Sequence, residues 1–262
     1  MNELIKICRP QWFRVLAELS FDMKTIRLIT VFVLAAALWM RLAPVAAADE
    51  EGVAVAIIYD TSGSMNEPVK DQTGKPAPKY QIANRALTAI ASRLQTFATN
   101  ATAGAPRNIQ AGLFTFRNGA AHVALPFGPF DAGALTNWAR DFSSPEGNTP
   151  LGLTVRAAGK AVLNSGLTRK HVLVITDGVN TAGPDPATML ARLQQEAIQR
   201  QTAVSVHFVA FDVDAKVFDG VKKLGATVVG AANESQLNQQ LEFILEKKIL
   251  LEDEETPPPK KP

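Results

Sequence analysis

Cysteine is almost missing from this 262-residue chain. The single Cys8 lies upstream of the body of the sequence, so disulfides cannot hold that body together and no thiolate is available there for zinc. Histidine is scarce too. His122, His171 and His207 stand too far apart for a local metal motif, and each reads as a strand or loop histidine. A metal here would have to be held by oxygen. An excess of one charge is lacking as well. Six basic residues (Lys6, Arg9, Arg14, Lys24, Arg27, Arg41) and three acidic ones (Glu3, Glu18, Asp22) precede Asp49, which leaves 21 basic against 22 acidic of the 27 and 25 in all. So even a balance offers no electrostatic footprint for nucleic acid. What remains, 47% hydrophobic and 20% charged, is the composition of one large globular domain with a sizeable core.

The basic excess flanks an apolar run. "LITVFVLAAALWM" from Leu28 carries no charge, follows Lys24 and Arg27, and precedes "RLAPVAAADE". That is the layout of a signal peptide, with Ala46 and Ala48 as the small residues before cleavage and Asp49 as the new N-terminus. Met23 is a natural start for such a signal, which makes Met1 to Asp22 a long leader or the result of a misplaced start. The alternative is an uncleaved anchor, since Leu28 to Ala48 reaches across a bilayer if Arg41 snorkels. On either reading the domain lies outside the cytoplasm: periplasmic or secreted, or anchored in the inner membrane. The expected division is residues 1–48 as leader and signal or anchor, 49–251 as the domain, and 252–262 as a disordered tail of charge and proline.

Within the domain, "VAVAIIY" (53–59) reads as a strand covered on both faces. "NEPVKDQTGKPAPK", with three prolines, reads as an exposed loop. "YQIANRALTAIASRLQTFA" then sets Ile82, Ala86, Ala89, Ile90, Leu94 and Phe97 near helical spacing. Strand-like "IQAGLFTF", "HVLVIT", "AVSVHFVAF" and "ATVVGA" alternate with helix-like "DAGALTNWARDF", "LGLTVRAAGKAVLN", "DPATMLARLQQEAIQR", "AKVFDGVKKLG" and "ESQLNQQLEFILEKKI". Asp131, Asp185, Asp214 and Asn233 are placed as N-caps and Gly225 as a stop. Such alternation predicts an α/β fold: a doubly wound, mostly parallel sheet with helices on both faces. "AHVALPF" is expected to be a short, antiparallel edge strand.

Ligands of such sheets bind outside the carboxyl ends of the strands. Asp60, Ser62 and Ser64 follow the first strand in "YDTSGSM", Asp177 ends "VITDG", and Thr149 lies in "GNTPLG" before a helix. Any one of these is an ordinary polar turn. Three aimed at one rim read as an oxygen cage for a hard cation. Asn180 and Thr181 read as turn residues, Asp212 as a strand end, and the loop from Met65 to Tyr80 either as a partner-reading element or as a solvated insertion.

The wording and order of these segments resemble the von Willebrand factor type A domain. "DTSGSM" is similar to its Asp-x-Ser-x-Ser motif, "GNTPL" to the loop that carries its threonine, and "ITDG" to the segment of its second aspartate, over about Gly52 to Lys248. The resemblance implies a metal-ion-dependent adhesion site with Asp60, Ser62, Ser64, Thr149 and Asp177 around Mg²⁺ or Mn²⁺. It further implies a non-catalytic domain that takes a carboxylate from a protein partner. The hydroxyls then supply coordination without cancelling the charge of the ion. A metal-dependent hydrolase is the alternative of another class. Against it, the sequence has no second aspartate for Asp-x-Asp, no Gly-x-Ser-x-Gly, no phosphate-cradling glycine loop and no histidine beside the cluster. A scaffold that binds through surface loops, with a vestigial site, is the third reading.

Overall fold

The computed structural model describes residues 49–100 and 107–250. The predicted leader, signal or anchor and the predicted tail lie outside the described residues. Among those described, no helix is long and apolar enough to cross a membrane.

Among the described residues eight strands and six α-helices follow one another as β1 (Glu50–Tyr59), β2 (Pro68–Lys70), β3 (Pro76–Pro78), α1 (Lys79–Thr99), β4 (Ile109–Arg117), β5 (Ala120–Pro129), α2 (Ala132–Asp141), α3 (Leu151–Leu163), β6 (Leu167–Thr176), α4 (Pro186–Gln199), β7 (Ser205–Phe211), α5 (Asp219–Lys223), β8 (Thr227–Ala231) and α6 (Glu234–Ile244). The main sheet runs β5-β4-β1-β6-β7-β8, parallel throughout except for β5 against β4. Beyond β1 the chain first winds outward through β4 and β5, then returns to β6 on the other side of β1. The order therefore reverses between β1 and β6, which is where a doubly wound sheet opens its ligand crevice.

The central strand explains the two layers. Its alternation sends Val53, Val55, Ile57 and Tyr59 into a cluster with α1, α2 and α6, and Ala54, Ala56 and Ile58 into one with α3 and α4. Every side chain from Val53 to Tyr59 is buried, as a strand covered on both faces requires. Helix α1 buries Ile82, Ala86, Ile90 and Leu94 as expected, but Ala89 faces solvent. Ala83, Leu87 and Ala91 widen the stripe instead. The predicted caps form: Asp131 accepts from the amide of Ala134, Asp185 from Ala187 and Thr188, Asp214 from Lys216 and Asn233 from Gln236. Gly225, at φ +87°, ends the segment after α5.

Three expectations need correction. Strand β5 is antiparallel and at the edge, but with ten residues it is not short. Two register shifts against β4 break its alternation and hide its length in the sequence. The stretch read as an exposed loop after Met65 holds a hairpin, β2 against β3, with Pro68 opposite Pro78. An isolated two-stranded ladder tolerates prolines at its ends, and Asp71 closes the turn by accepting from Thr73 and Lys75. The helix expected over "AKVFDGVKKLG" is split into a 3₁₀ turn, Ala215–Phe218, and the short α5.

At the end of the sheet opposite the carboxyl rim, His171 and His207 stack on neighbouring strands with Nδ1 and Nε2 3.3 Å apart. Burial pushes both down, His171 to about 3 and His207 to about 4. With folded values depressed, stability is whole above about pH 6.5 and is lost as pH falls towards those values. Between pH 7 and pH 5 the pair is expected to cost about 2–4 kcal/mol. Urea unfolding against pH checks this: a double change, His171→Gln with His207→Gln, that kept the parent's slope would contradict it.

Candidate functional site

The rim is built by register. Tyr59 pairs with Ile175 across the β1–β6 ladder and the amide of Asp60 donates to the carbonyl of Ile175, so Asp60 emerges beside Thr176 and Asp177. The Thr149 loop is then stitched to both. The amide of Gly63 donates to the carbonyl of Gly147 and that of Glu146 to Thr61, while Asn66 Nδ2 donates to the carbonyl of Pro145. From the other side the amide of Thr149 donates to Thr181 Oγ1, and the amide of Thr181 donates back to the carbonyl of Thr149. Asn180 Oδ1 accepts from the amide of Gly152, in the first turn of α3. Asn180 and Thr181 are thus turn residues that also fix the Thr149 loop to the Asp177 loop.

All five candidate residues meet there. Asp60 Oδ1 accepts from the amide of Ser62 at 2.8 Å and from its Oγ at 2.5 Å; Ser62 Oγ lies 3.1 Å from Ser64 Oγ, which donates to Asp177 Oδ1 at 2.8 Å. Thr149 faces the same space, for a Cβ built on Gly178 would lie 3.7 Å from Thr149 Oγ1 and 3.9 Å from Ser64 Oγ. These oxygen separations bracket the edge of a small octahedron, about 3.0 Å for six oxygens near 2.1 Å from a cation. The donor set, hydroxyls with two carboxylates, suits a hard divalent ion. Among the described residues no group of three or more His, Cys, Asp or Glu side chains is placed to hold a metal.

Burial raises the carboxyl of Asp60 to about 6, and the neighbouring Asp177 pushes the same way, against the hydrogen bonds from Ser62 and Thr176. A fully buried carboxylate next to a second one is a site short of positive charge.

Two members were not singled out in the sequence. Thr176 Oγ1 donates to Asp60 Oδ2 at 2.5 Å, closing the second oxygen of that carboxylate. Its place in the ladder, one residue before Asp177, was the only available signal. Lys79, the first residue of α1, has a side chain only 3% exposed, and its Nζ reaches Glu67 Oε2 at 2.8 Å and Asp177 Oδ2 and Asp212 Oδ2 at 3.1 Å each. Burial works against its charge, yet the hydrogen bonds to Glu67, Asp177 and Asp212 outweigh that and hold it protonated above the ordinary range. Asp212, expected only to end a strand, thereby joins the rim; Asp214 is the cap it was expected to be. Beside Thr61 and Gly147 a cleft of about 380 Å³ opens, with Arg117, His122, Trp138 and Phe142 in its walls.

A sequence profile of the von Willebrand factor type A domain matches residues 55–180. No curated protein matches the chain. Among solved structures, the PilB minor pilin from Streptococcus sanguinis is 16% identical with a TM-score of 0.55, over 74% of this chain and 60% of that one. The vWF domain of the type V pili tip protein Mfa5 from Porphyromonas gingivalis is 12% identical, TM-score 0.54, over 74% and 94%. Proximal thread matrix protein 1 from the mussel byssus, described with a zinc-occupied MIDAS motif, is 18% identical, TM-score 0.54, over 75% and 48%. The chain thus spans about 60% of that pilin and about half of the mussel protein. At these identities the likeness is one of fold. The profile runs from within β1 to just past β6, the stretch that delivers all five rim residues, and it is over that stretch that the chain matches the von Willebrand factor type A domain family.

Proposed function

We propose that this is a non-catalytic binding domain, exported, which engages a protein partner through a divalent cation held by Asp60, Ser62, Ser64 and Thr149, with Asp177 supporting it. The observation that carries the reading is the chain of oxygens from Asp60 to Asp177 with separations of 2.5, 3.1 and 2.8 Å, gathered from two loops at the switch point of the sheet, with Thr149 facing it from a third. Mg²⁺ or Mn²⁺ fits such a donor set, and neutral hydroxyls leave the ion with charge to offer a partner's carboxylate. The cleft beside Thr61 would take the side chains that flank that carboxylate. Export rests on the layout of residues 24–48 alone. A hydrolase finds less support: each of the two serine hydroxyls donates to a carboxylate, and His122, in the wall of the neighbouring cleft, is hydrogen-bonded to Thr115.

Metal titration followed by thermal melting tests the reading. At one hundred times Kd, Mg²⁺ or Mn²⁺ added to chelated protein should stabilise it by about 2.7 kcal/mol, which in a domain of this size raises Tm by roughly 5–11 °C. No shift at millimolar metal would sink the reading, as would an equal shift in the double variant Ser62→Ala with Ser64→Ala.

A further inference from the structure

We infer that Lys79 is a built-in counter-cation of the oxygen cluster: by holding Asp177 it lowers the affinity of the site for a divalent ion and leaves a bound ion short of negative charge, which favours a carboxylate ligand from outside. The inference rests on the metal reading above. Ser64 and Lys79 divide Asp177 between them, Ser64 Oγ on Oδ1 and Lys79 Nζ on Oδ2. The three carboxylates on the ammonium come from separate segments: Glu67 before the hairpin, Asp177 after β6 and Asp212 after β7. They do not share its charge equally. The side chains of Glu67 and Asp212 are 66% and 38% exposed, so water screens them, whereas that of Asp177 is fully buried. A charge interacts most strongly where the surroundings are least polarisable, so Asp177 takes the largest part.

Lysine is seldom buried unless paired, and this pairing falls on one of the cluster's own two carboxylates. Asp60 is then left as the carboxylate that carries its full charge to an ion. The backbone secures the placement, since the amide of Lys79 donates to the carbonyl of Glu67 and so fixes the start of α1 to the entry of the hairpin.

The test is calorimetric titration of Mn²⁺ into the whole chain and two variants, with circular dichroism to follow folding. Lys79→Met is expected to bind Mn²⁺ about tenfold tighter, the low end of what supporting groups contribute. Asp212→Asn is expected to bind it more weakly, because the ammonium then bears harder on Asp177; asparagine tolerates the φ of +55° at this position, so the fold should hold. A lysine that merely tied the loops together would weaken binding in both variants. A folded Lys79→Met protein with unchanged or weaker affinity than a metal-binding parent overturns the inference and leaves the metal reading standing. If the parent binds no Mn²⁺ and Lys79→Met does, the inference is supported in its strongest form. If neither binds, the metal reading fails and this inference with it. Should Lys79→Met not fold, Lys79→Gln, which keeps a hydrogen-bond donor towards the carboxylates without the charge, decides: tighter Mn²⁺ binding than the parent supports the counter-cation, equal or weaker binding overturns it.

Discussion

Asparagine in place of Asp60 is expected to end metal binding outright and, at the same time, to raise the melting temperature of the metal-free protein. The two effects have one cause. Asp60 is fully buried, and burial together with Asp177 lifts its carboxyl from 3.8 to about 6. A raised folded value means that the cost of the charged form is fully present above about pH 6 and gone below the unfolded value. Its upper bound is about 3 kcal/mol at 1.36 kcal/mol per unit. Asparagine keeps the shape. Its oxygen can accept from the amide and hydroxyl of Ser62, and its amino group can donate to Thr176 Oγ1, which retains the carbonyl of Gly178 as an acceptor at 3.2 Å. Some of the gain is lost with the charge-assisted hydrogen bonds, so about 1–2 kcal/mol should remain, or roughly 2–8 °C in Tm at pH 7.5. With saturating Mn²⁺ the order should reverse, because the parent gains and the variant does not. Melting curves with chelator and with metal check both halves. A variant that melts below the chelated parent, or that still responds to Mn²⁺, contradicts the assignment of Asp60 as the principal charge on the ion. Thr149→Ala is the milder comparison: a neutral hydroxyl shapes the coordination, and its loss should weaken metal affinity by about tenfold.

Much of this could be read from the sequence because it was local. The caps at Asp131, Asp185 and Asn233 depend on a side chain and amides two or three residues away, and each formed. Asp60, Ser62, Ser64 and Asp177 were legible because strand ends were, and strand ends in a parallel sheet share one rim, whereas Thr149 was read from its loop before a helix. Lys79 was not legible. In the sequence it is one more cation in a proline-rich stretch, and its burial depends on Glu67, Asp177 and Asp212, spread over 145 positions and brought together only by the fold. Thr176 was hidden differently. A threonine ending an apolar strand reads as a β-former, and only the pairing of Tyr59 with Ile175 sets it beside Asp60. The hairpin was missed because proline argues against strands in general, and the exception for a short two-stranded ladder is a matter of position that composition does not carry.

Alanine at Gly152 should cost about 3 kcal/mol or more, whereas alanine at Gly159, one heptad along the same helix, should change stability by no more than about 1 kcal/mol. Both glycines lie on the face of α3 that packs against α4 and the turn before it, and both are buried. A Cβ at Gly159 would meet Leu193 Cδ2 at 2.3 Å and Cδ1 at 2.6 Å, the far end of a side chain that can change rotamer. At Gly152 the obstacle is backbone: the carbonyl oxygen of Pro184 at 2.0 Å and the carbonyl carbons of Pro184 and Asp185 at 3.0 Å. That chain cannot step aside cheaply. Asp185 caps α4, and upstream of Pro184 the same loop carries Asp177 and the ties from Asn180 and Thr181 to the Thr149 loop. The helix-propensity gain of alanine over glycine, about 1 kcal/mol, can offset the overlap at Gly159 but not at Gly152. Urea unfolding of both variants measures the difference, and a Gly152→Ala protein as stable as Gly159→Ala would show that the α3–α4 junction gives way more easily than its backbone contacts imply. The same comparison joins packing to the site. If the Pro184 carbonyl is pushed aside, the loop bearing Asp177 must shift with it, so Mn²⁺ affinity should fall in Gly152→Ala and stay at the parent's value in Gly159→Ala.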